Sequence, residues 1–220
     1  MKALVRPFHK YLSLAISIQL LLWTVSGIYF AFNKIELIRG EQYLIEPKNS
    51  ELNLNDIKNT FNTKNLSILK RLDEWIIKVE DEAGDYYLNS NGTNLEYLTN
   101  EQAKLVVETQ TSLTPLKATF ITKSTEGSEY RGRDLPLFKV TTSSKDAINV
   151  YIDALSGQVK AIRSDSWRIW DLLWSLHIMD YQERENIDNI LLKVFSILAL
   201  ISSLSGIALF FLGFRKTNPV

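Results

Sequence analysis

The 220-residue chain contains no cysteine. Disulfides, thiol nucleophiles and thiolate metal sites are therefore excluded, and any redox chemistry has to reside in a bound group. Histidine occurs only at His9 and His177, too few to build a Cys/His zinc framework. Net charge is missing as well, since 25 basic residues face 25 acidic ones. That balance argues against a basic nucleic-acid binder and against a disordered acidic chain. The sequence also has no Gly-rich phosphate loop, no HExxH motif and no Ser-His-Asp set that spacing alone brings together.

The balance hides a segregation. Residues 11–32 and 194–214 carry no Asp, Glu, Lys or Arg, and every acidic residue lies between them. The tails, residues 1–10 and 215–220, hold Lys2, Arg6, Lys10, Arg215 and Lys216 without an acid. Each apolar run is about 31–33 Å long as a helix, which matches a hydrocarbon core of roughly 30 Å. Both are expected to span a bilayer. The first is too long for a signal-peptide core and no small-x-small cleavage site follows it. Basic tails outside both spans place the two termini in the cytoplasm and the acidic middle on the other side. Lys34, Arg39 and Lys193 oppose this mildly, but they are fewer than the tail charges, and a connection this long is translocated largely regardless of charge.

Within the spans, Ala199, Ser202, Gly206 and Gly213 share one side of the second helix. Ser202 and Gly206 form a small-xxx-small pair suited to close helix packing. Gln19 and Ser26 share one side of the first helix and predict a polar helix contact. With no charged side chain in either span, a transport pathway is the weaker reading.

Residues 33–165 read as an α+β module. Leu54, Ile57 and Phe61 recur at helical spacing, so residues 54–61 are expected to form a short helix. Two strands are expected in residues 66–79, meeting near Asp73, and Asn91-Gly92 predicts a hairpin turn. Thr99-x-x-Gln102 is a capping-box signature that opens a second helix. Strands follow at residues 116–123 and 136–142, with a polar loop between them, and a last hairpin turns at Ser156-Gly157. Tyr87-Leu88-Asn89 with Gly92 aligns with Tyr151-Ile152-Asp153 with Gly157, one residue out of step. Residues 50–99 and 100–163 are thus a candidate tandem repeat.

The stretch LPLFKVTTSSKDAINVYIDALSGQVKAIRSDSWRIWDLLWSLHIMDY resembles PepSY-domain membrane proteins. Their pattern is a Leu-Pro strand, a vYvD-x-x-(S/T)-G-x-v hairpin, an Arg-aromatic stretch and a Leu-His pair ahead of the last span. RPFHK with Ser26-Gly27 resembles the family's first span, and Ala154-Leu155 departs from its common Pro-containing turn. The resemblance implies a bacterial inner-membrane protein, with tandem PepSY-like helix-plus-antiparallel-sheet units facing the periplasm between two transmembrane helices. It marks Pro136, Tyr151, Asp153 and Gly157 as structural motif residues. Family members are associated with protease inhibition or chaperoning, and membrane-bound ones with iron-siderophore uptake and reduction, some carrying haem.

His177 is the leading candidate ligand. Residues 166–193 open with a Trp-rich segment, and projecting residues 167–181 as a helix groups His177 with Trp170, Leu173, Trp174 and Tyr181, opposite Arg168, Asp171 and Ser175. One reading is an interfacial helix anchored by Trp167, Trp170 and Trp174, with His177 bonded to a carbonyl or to Asp180. The other is an axial ligand to haem b. His9 is a second candidate ligand or an interfacial residue beside Lys10. It sits at the opposite end of the first span, so the two histidines cannot share one iron. Glu80, Asp81, Glu82 and Asp85 surround Gly84 in a turn without the ligand order of a calcium loop. Asp153 is expected to bond the amides of its own turn. Tyr130, Arg131 and Arg133 form a basic loop, either solvated or able to hold an anion. No catalytic constellation emerges. The expected role is an accessory module that contacts the bilayer and a protein partner or a second copy, with a redox subunit and a protease-inhibitory module as alternatives.

Overall fold

In the computed structural model, residues 2–46, 51, 63–82 and 84–214 are described. The helix expected at residues 54–61 lies outside them. The chain forms two compact units, residues 35–168 and residues 1–34 with 169–220.

The second of these is helical. Helix α1 runs Lys2–Phe32 and α5 runs Ile190–Phe214. Both are long and apolar enough to cross a membrane, over Val5–Phe32 and Ile190–Leu212. Two membrane-length helices thus flank an α+β domain in the chain. The helices begin earlier than the uncharged runs at residues 11 and 194, because Arg6, Lys10 and Lys193 have straight side chains that a helix accommodates with little loss. Ser13 and Ser202 hydroxyls meet at 2.8 Å, and His9 Nδ1 lies 2.7 Å from Ser205 Oγ. These contacts make the helices antiparallel, and at 1.5 Å per residue Ile190 lies about level with Val25. The last two turns of α1 therefore overhang α5. Helix α4, Asp165–Ile178, packs its Trp170 and Trp174 on Phe30 of that overhang.

The other unit begins with α2, Ile35–Ile38, and a 3-10 turn at Glu41–Tyr43. Strands β1 (Asn65–Arg71), β2 (Glu74–Asp81) and β3 (Gly84–Asn89) form an antiparallel three-stranded meander. The β1–β2 turn falls at Leu72-Asp73, as the sequence predicts. The Asn91-Gly92 turn is present, with Gly92 at φ 79°. Its far side makes only an isolated bridge, Leu88 to Asn94, and no full strand.

Helix α3, Asn100–Gln110, starts on the expected capping box: Thr99 Oγ1 accepts from Gln102 N at 3.2 Å and Gln102 Oε1 from Thr99 N at 2.9 Å. Each bond satisfies an orphan amide of the first turn. Four antiparallel strands follow in the order β4 (Pro115–Ile121), β5 (Leu137–Thr142), β6 (Asn149–Asp153) and β7 (Val159–Arg163). Strand alternation gives the sheet two different faces. Phe138, Val140, Val150, Ile152 and Ile162 pack with Ala103, Val106 and Val107 of α3 to make the core. Leu137, Tyr151, Ala161 and Arg163 point to the other side and are also buried.

Arg71 joins the two meanders. Its Nη2 donates to Glu96 O at 3.0 Å, and its stem lies under the β6–β7 turn, where a Cβ on Gly157 would come within 3.3 Å of Arg71 Cγ. Gly157 has φ +69°, so it answers both a backbone and a space requirement.

Candidate functional site

His177 occupies the last turn of α4. Its Nδ1 is 2.7 Å from Ser26 Oγ. The ring stacks on Trp174 at 6.4 Å and 8°, meets Phe30 edge-on at 5.7 Å, and lies 6.3 Å from Trp23. An imidazole thus sits in an aromatic enclosure with a hydroxyl at one nitrogen. Trp174 is an expected neighbour; Tyr181 and Asp180, also expected beside the ring, are not its partners. Tyr181 does not join the face because α4 stops at Ile178, where Met179 takes φ 57° and Asp180 N bonds Ser175 O in a Schellman-type end. Asp180 does not bond His177. Its carboxylate accepts the amides of Gln182, Glu183, Glu185 and Asn186 at 2.9–3.3 Å. Burial alone would raise the Asp180 carboxyl, but these bonds outweigh it and hold the group below the usual carboxylate range.

The end of α4 is capped from outside. Gln19 Nε2 donates to Leu176 O at 3.0 Å, Trp23 Nε1 to His177 O at 2.6 Å, and Asn189 Nδ2 to Ile178 O at 2.9 Å. Terminal helix carbonyls are costly beside an apolar surface unless they are paired. Gln19 and Ser26, the two polar residues on one side of α1, therefore both reach α4. On the face of α4 opposite His177, Asp171 and Ser175 are buried, and Asp171 pairs with Arg184 at 2.7 Å. The three tryptophans also separate. Only Trp170 and Trp174 line the His177 face, while Trp167 packs under Arg163 at 4.3 Å and Arg131 at 5.4 Å.

His9 is placed elsewhere. From Ser26, His177's partner, to His9 is 17 residues of α1, about 25 Å, so the two rings share no ligand. Gly206 faces His9 directly, since a Cβ there would lie 3.1 Å from His9 Cε1. Ser202 and Gly206 both lie on the side of α5 that meets α1.

The α+β unit contains a second polar centre, on the sheet face away from α3. Glu129 accepts Tyr151 Oη at 2.8 Å, Asn149 Nδ2 at 2.9 Å and Arg168 Nε at 2.6 Å. Burial pushes the Glu129 carboxyl up, but the three donors outweigh it and hold it below its ordinary range. Burial, and then the Glu129 bond, push the Tyr151 hydroxyl well above its ordinary value. Arg163 donates from Nε to Glu129 O at 3.0 Å, and its pKa is lowered to about 10 by burial and then by Arg133 and Arg131. Sequence reasoning missed Glu129. It lies in the polar loop between β4 and β5, 20 to 39 residues from its partners, and reads there as a solvated acid. The available signal was Tyr151, whose hydroxyl needs a partner once β6 is buried on both faces.

The remaining motif residues have local roles. Asp153 Oδ1 accepts the amides of Leu155 and Ser156 at 3.0 and 2.6 Å. Pro136 precedes β5 behind a cis Leu135–Pro136 peptide, and its carbonyl accepts Ala154 N at 3.2 Å. Tyr130 donates to Lys123 O and Thr125 Oγ1, both at 3.1 Å. In the acidic turn, Lys78 pairs with Glu80 at 2.6 Å and Asp85 at 2.7 Å. Among the described residues no group of three His, Asp or Glu is placed to hold a metal ion. Compared with protein-family models, with curated proteins and with solved structures, the chain matches none.

Proposed function

We propose that the chain is a two-pass bacterial inner-membrane protein whose tandem PepSY-like module lies on the periplasmic side and acts as an accessory binding unit on a partner protein. Two correspondences support the tandem reading. Asn89 Oδ1 accepts Asn91 and Thr93 amides at 3.0 Å, just as Asp153 Oδ1 accepts two amides of its own turn. Gly92 and Gly157 then take positive φ in both turns, and each donates its amide back to Asn89 O or Asp153 O.

One observation carries the binding reading. Strand β4 ends its sheet and has a ladder partner, β5, on one side only. Leu116 and Phe120 project from it at 59% and 41% exposure, and Tyr97 stands 5.5 Å from Phe120. An open edge with alternate apolar side chains suits an extended partner segment, with backbone bonds giving affinity and the side chains selectivity. Glu129, Lys78 and Asp153 are engaged within the module. A photo-crosslinking side chain at Leu116 or Phe120 in intact membranes should capture one discrete polypeptide, and one at Tyr86 of β3 should not. An adduct of twice the 25.3 kDa chain mass identifies a second copy as the partner. Equal capture at all three positions, or none, sinks this reading.

A second reading is a haem-binding accessory subunit of a ferric or siderophore reductase. It is favoured by the aromatic enclosure of His177, an apolar setting that suits a porphyrin edge and a single imidazole ligand. The chain supplies one axial ligand there, so a second would come from another subunit. Bound haem would supply one-electron transfer. A Soret band that is lost in His177→Ala, together with an iron-to-protein ratio that falls in parallel, tests it.

A further inference from the structure

The two 2.7 Å contacts of Ser26 determine which nitrogen of His177 carries the proton. Ser26 Oγ lies 2.7 Å from Leu22 O, one turn back on its own helix, and 2.7 Å from His177 Nδ1. A hydroxyl has one proton, and a carbonyl oxygen can only accept. If Nδ1 bore the lone pair, Ser26 would face two acceptors with one proton, and one of the two short contacts would set acceptor against acceptor. Both contacts are hydrogen bonds only when Ser26 donates to Leu22 O and Nδ1–H donates to Ser26. In the neutral ring the lone pair then lies on Nε2.

The arrangement recurs at the other histidine. Ser205 Oγ lies 2.8 Å from Ser202 O of its own helix and 2.7 Å from His9 Nδ1. Each of the two imidazoles in the chain therefore meets a serine that is already committed to a carbonyl of its own helix. A serine hydroxyl is a neutral acceptor, so it orients the ring without drawing it toward imidazolate as a carboxylate would.

We propose that Ser26 is a positioning residue that holds His177 as the Nδ1–H tautomer and so presents Nε2 as an electron-pair donor to a transition-metal centre. That a metal centre is there at all, and that it is haem iron, rests on the haem reading above; the tautomer alone follows from the Ser26, Leu22 and His177 geometry. The aromatic walls leave the ring few other polar contacts, so the hydroxyl is what selects between tautomers that are otherwise close in energy.

Nitrogen-15 NMR of histidine-labelled protein in detergent, with His9→Gln to leave one imidazole, reads the tautomer directly. The expected result is a pyrrole-type Nδ1 and a pyridine-type Nε2. Ser26→Ala should give a mixture of tautomers, and Ser26→Thr, which keeps the hydroxyl, should restore the single form. A pyridine-type Nδ1 in the parent protein, or an unchanged tautomer in Ser26→Ala, overturns the proposal. Added hemin separates the two ideas. A single Nδ1–H tautomer with no Soret band removes the haem reading and leaves the Ser26 assignment standing, whereas a His177-dependent Soret band with the opposite tautomer does the reverse.

Discussion

Tyr151 donates its hydroxyl to Glu129 at 2.8 Å, and this contact ties the loop between β4 and β5 to the middle of the four-stranded sheet. Tyr151 is 1% exposed, so its hydroxyl has little access to water in place of Glu129.

Removing either partner tests the network unequally. Tyr151→Phe deletes one donor and should cost about 1–2 kcal/mol. Glu129→Ala leaves Tyr151 and Asn149 without their acceptor and takes one of two carboxylates from Arg168, which keeps Asp165, and should cost more, about 2–4 kcal/mol. The Glu129 pKa is lowered in the folded protein, so its contribution is complete above the unfolded value of about 4.3 and is lost as pH falls through the folded value. Thermal unfolding in detergent between pH 7 and pH 3 should show that loss in the parent and a flatter profile in Glu129→Gln.

Two glycines should resist substitution for different reasons. A Cβ on Gly40 would lie 2.7 Å from Ile162 Cγ2, and its φ is +81°. Gly157 has φ +69° but only a 3.3 Å approach to the flexible stem of Arg71. Gly157→Ala should therefore cost about 1–2 kcal/mol, for the left-handed backbone, and Gly40→Ala more, because Ile162 belongs to the core and has to move. Gly27, with nothing within 4 Å of a built Cβ, is the control. Melting temperatures of the three alanine variants check the order.

The elements with local signals were the legible ones. Thr99 and Gln102 announce α3, Asn91-Gly92 and Ser156-Gly157 announce turns, and the uncharged runs announce α1 and α5, each from residues contiguous in the chain. The partners of His177 and Glu129 were not legible, because Ser26 lies 151 residues from His177 and Arg168 lies 39 from Glu129. Helical projection placed His177 correctly against Trp174. It continued the helix through Tyr181 because nothing in Met179-Asp180 resembles a glycine stop, yet Met179 takes the left-handed turn and Asp180 wraps the following amides.

The orientation proposed for the module has a direct measurement. In the cysteine-free chain a single cysteine can be placed at Lys2, Lys117 or Lys216 without a competing thiol. In intact cells with a permeabilised outer membrane, a membrane-impermeant maleimide should label Lys117→Cys and spare the two tail positions until the inner membrane is broken. Labelling of the tails alone would invert the topology.

The same background gives the sharpest test of the helix pair. Ser13 and Ser202 hydroxyls meet at 2.8 Å, so their Cβ atoms lie within reach of the roughly 3.5–4.5 Å that a disulfide needs. Ser13→Cys with Ser202→Cys should oxidise readily in membranes, and protease cleavage in the module should then leave α1 and α5 joined until reductant is added. Ser17→Cys with Ser203→Cys should not crosslink within one chain, because both serines are exposed and bond carbonyls of their own helices. Enlarging Gly206 to valine should weaken the first crosslink, since the added carbons occupy the space held by His9. Loss of helix pairing in that variant with His9 intact would show that close approach sets the α1–α5 register. Retention of the crosslink there would show that close approach at Gly206 does not set the register.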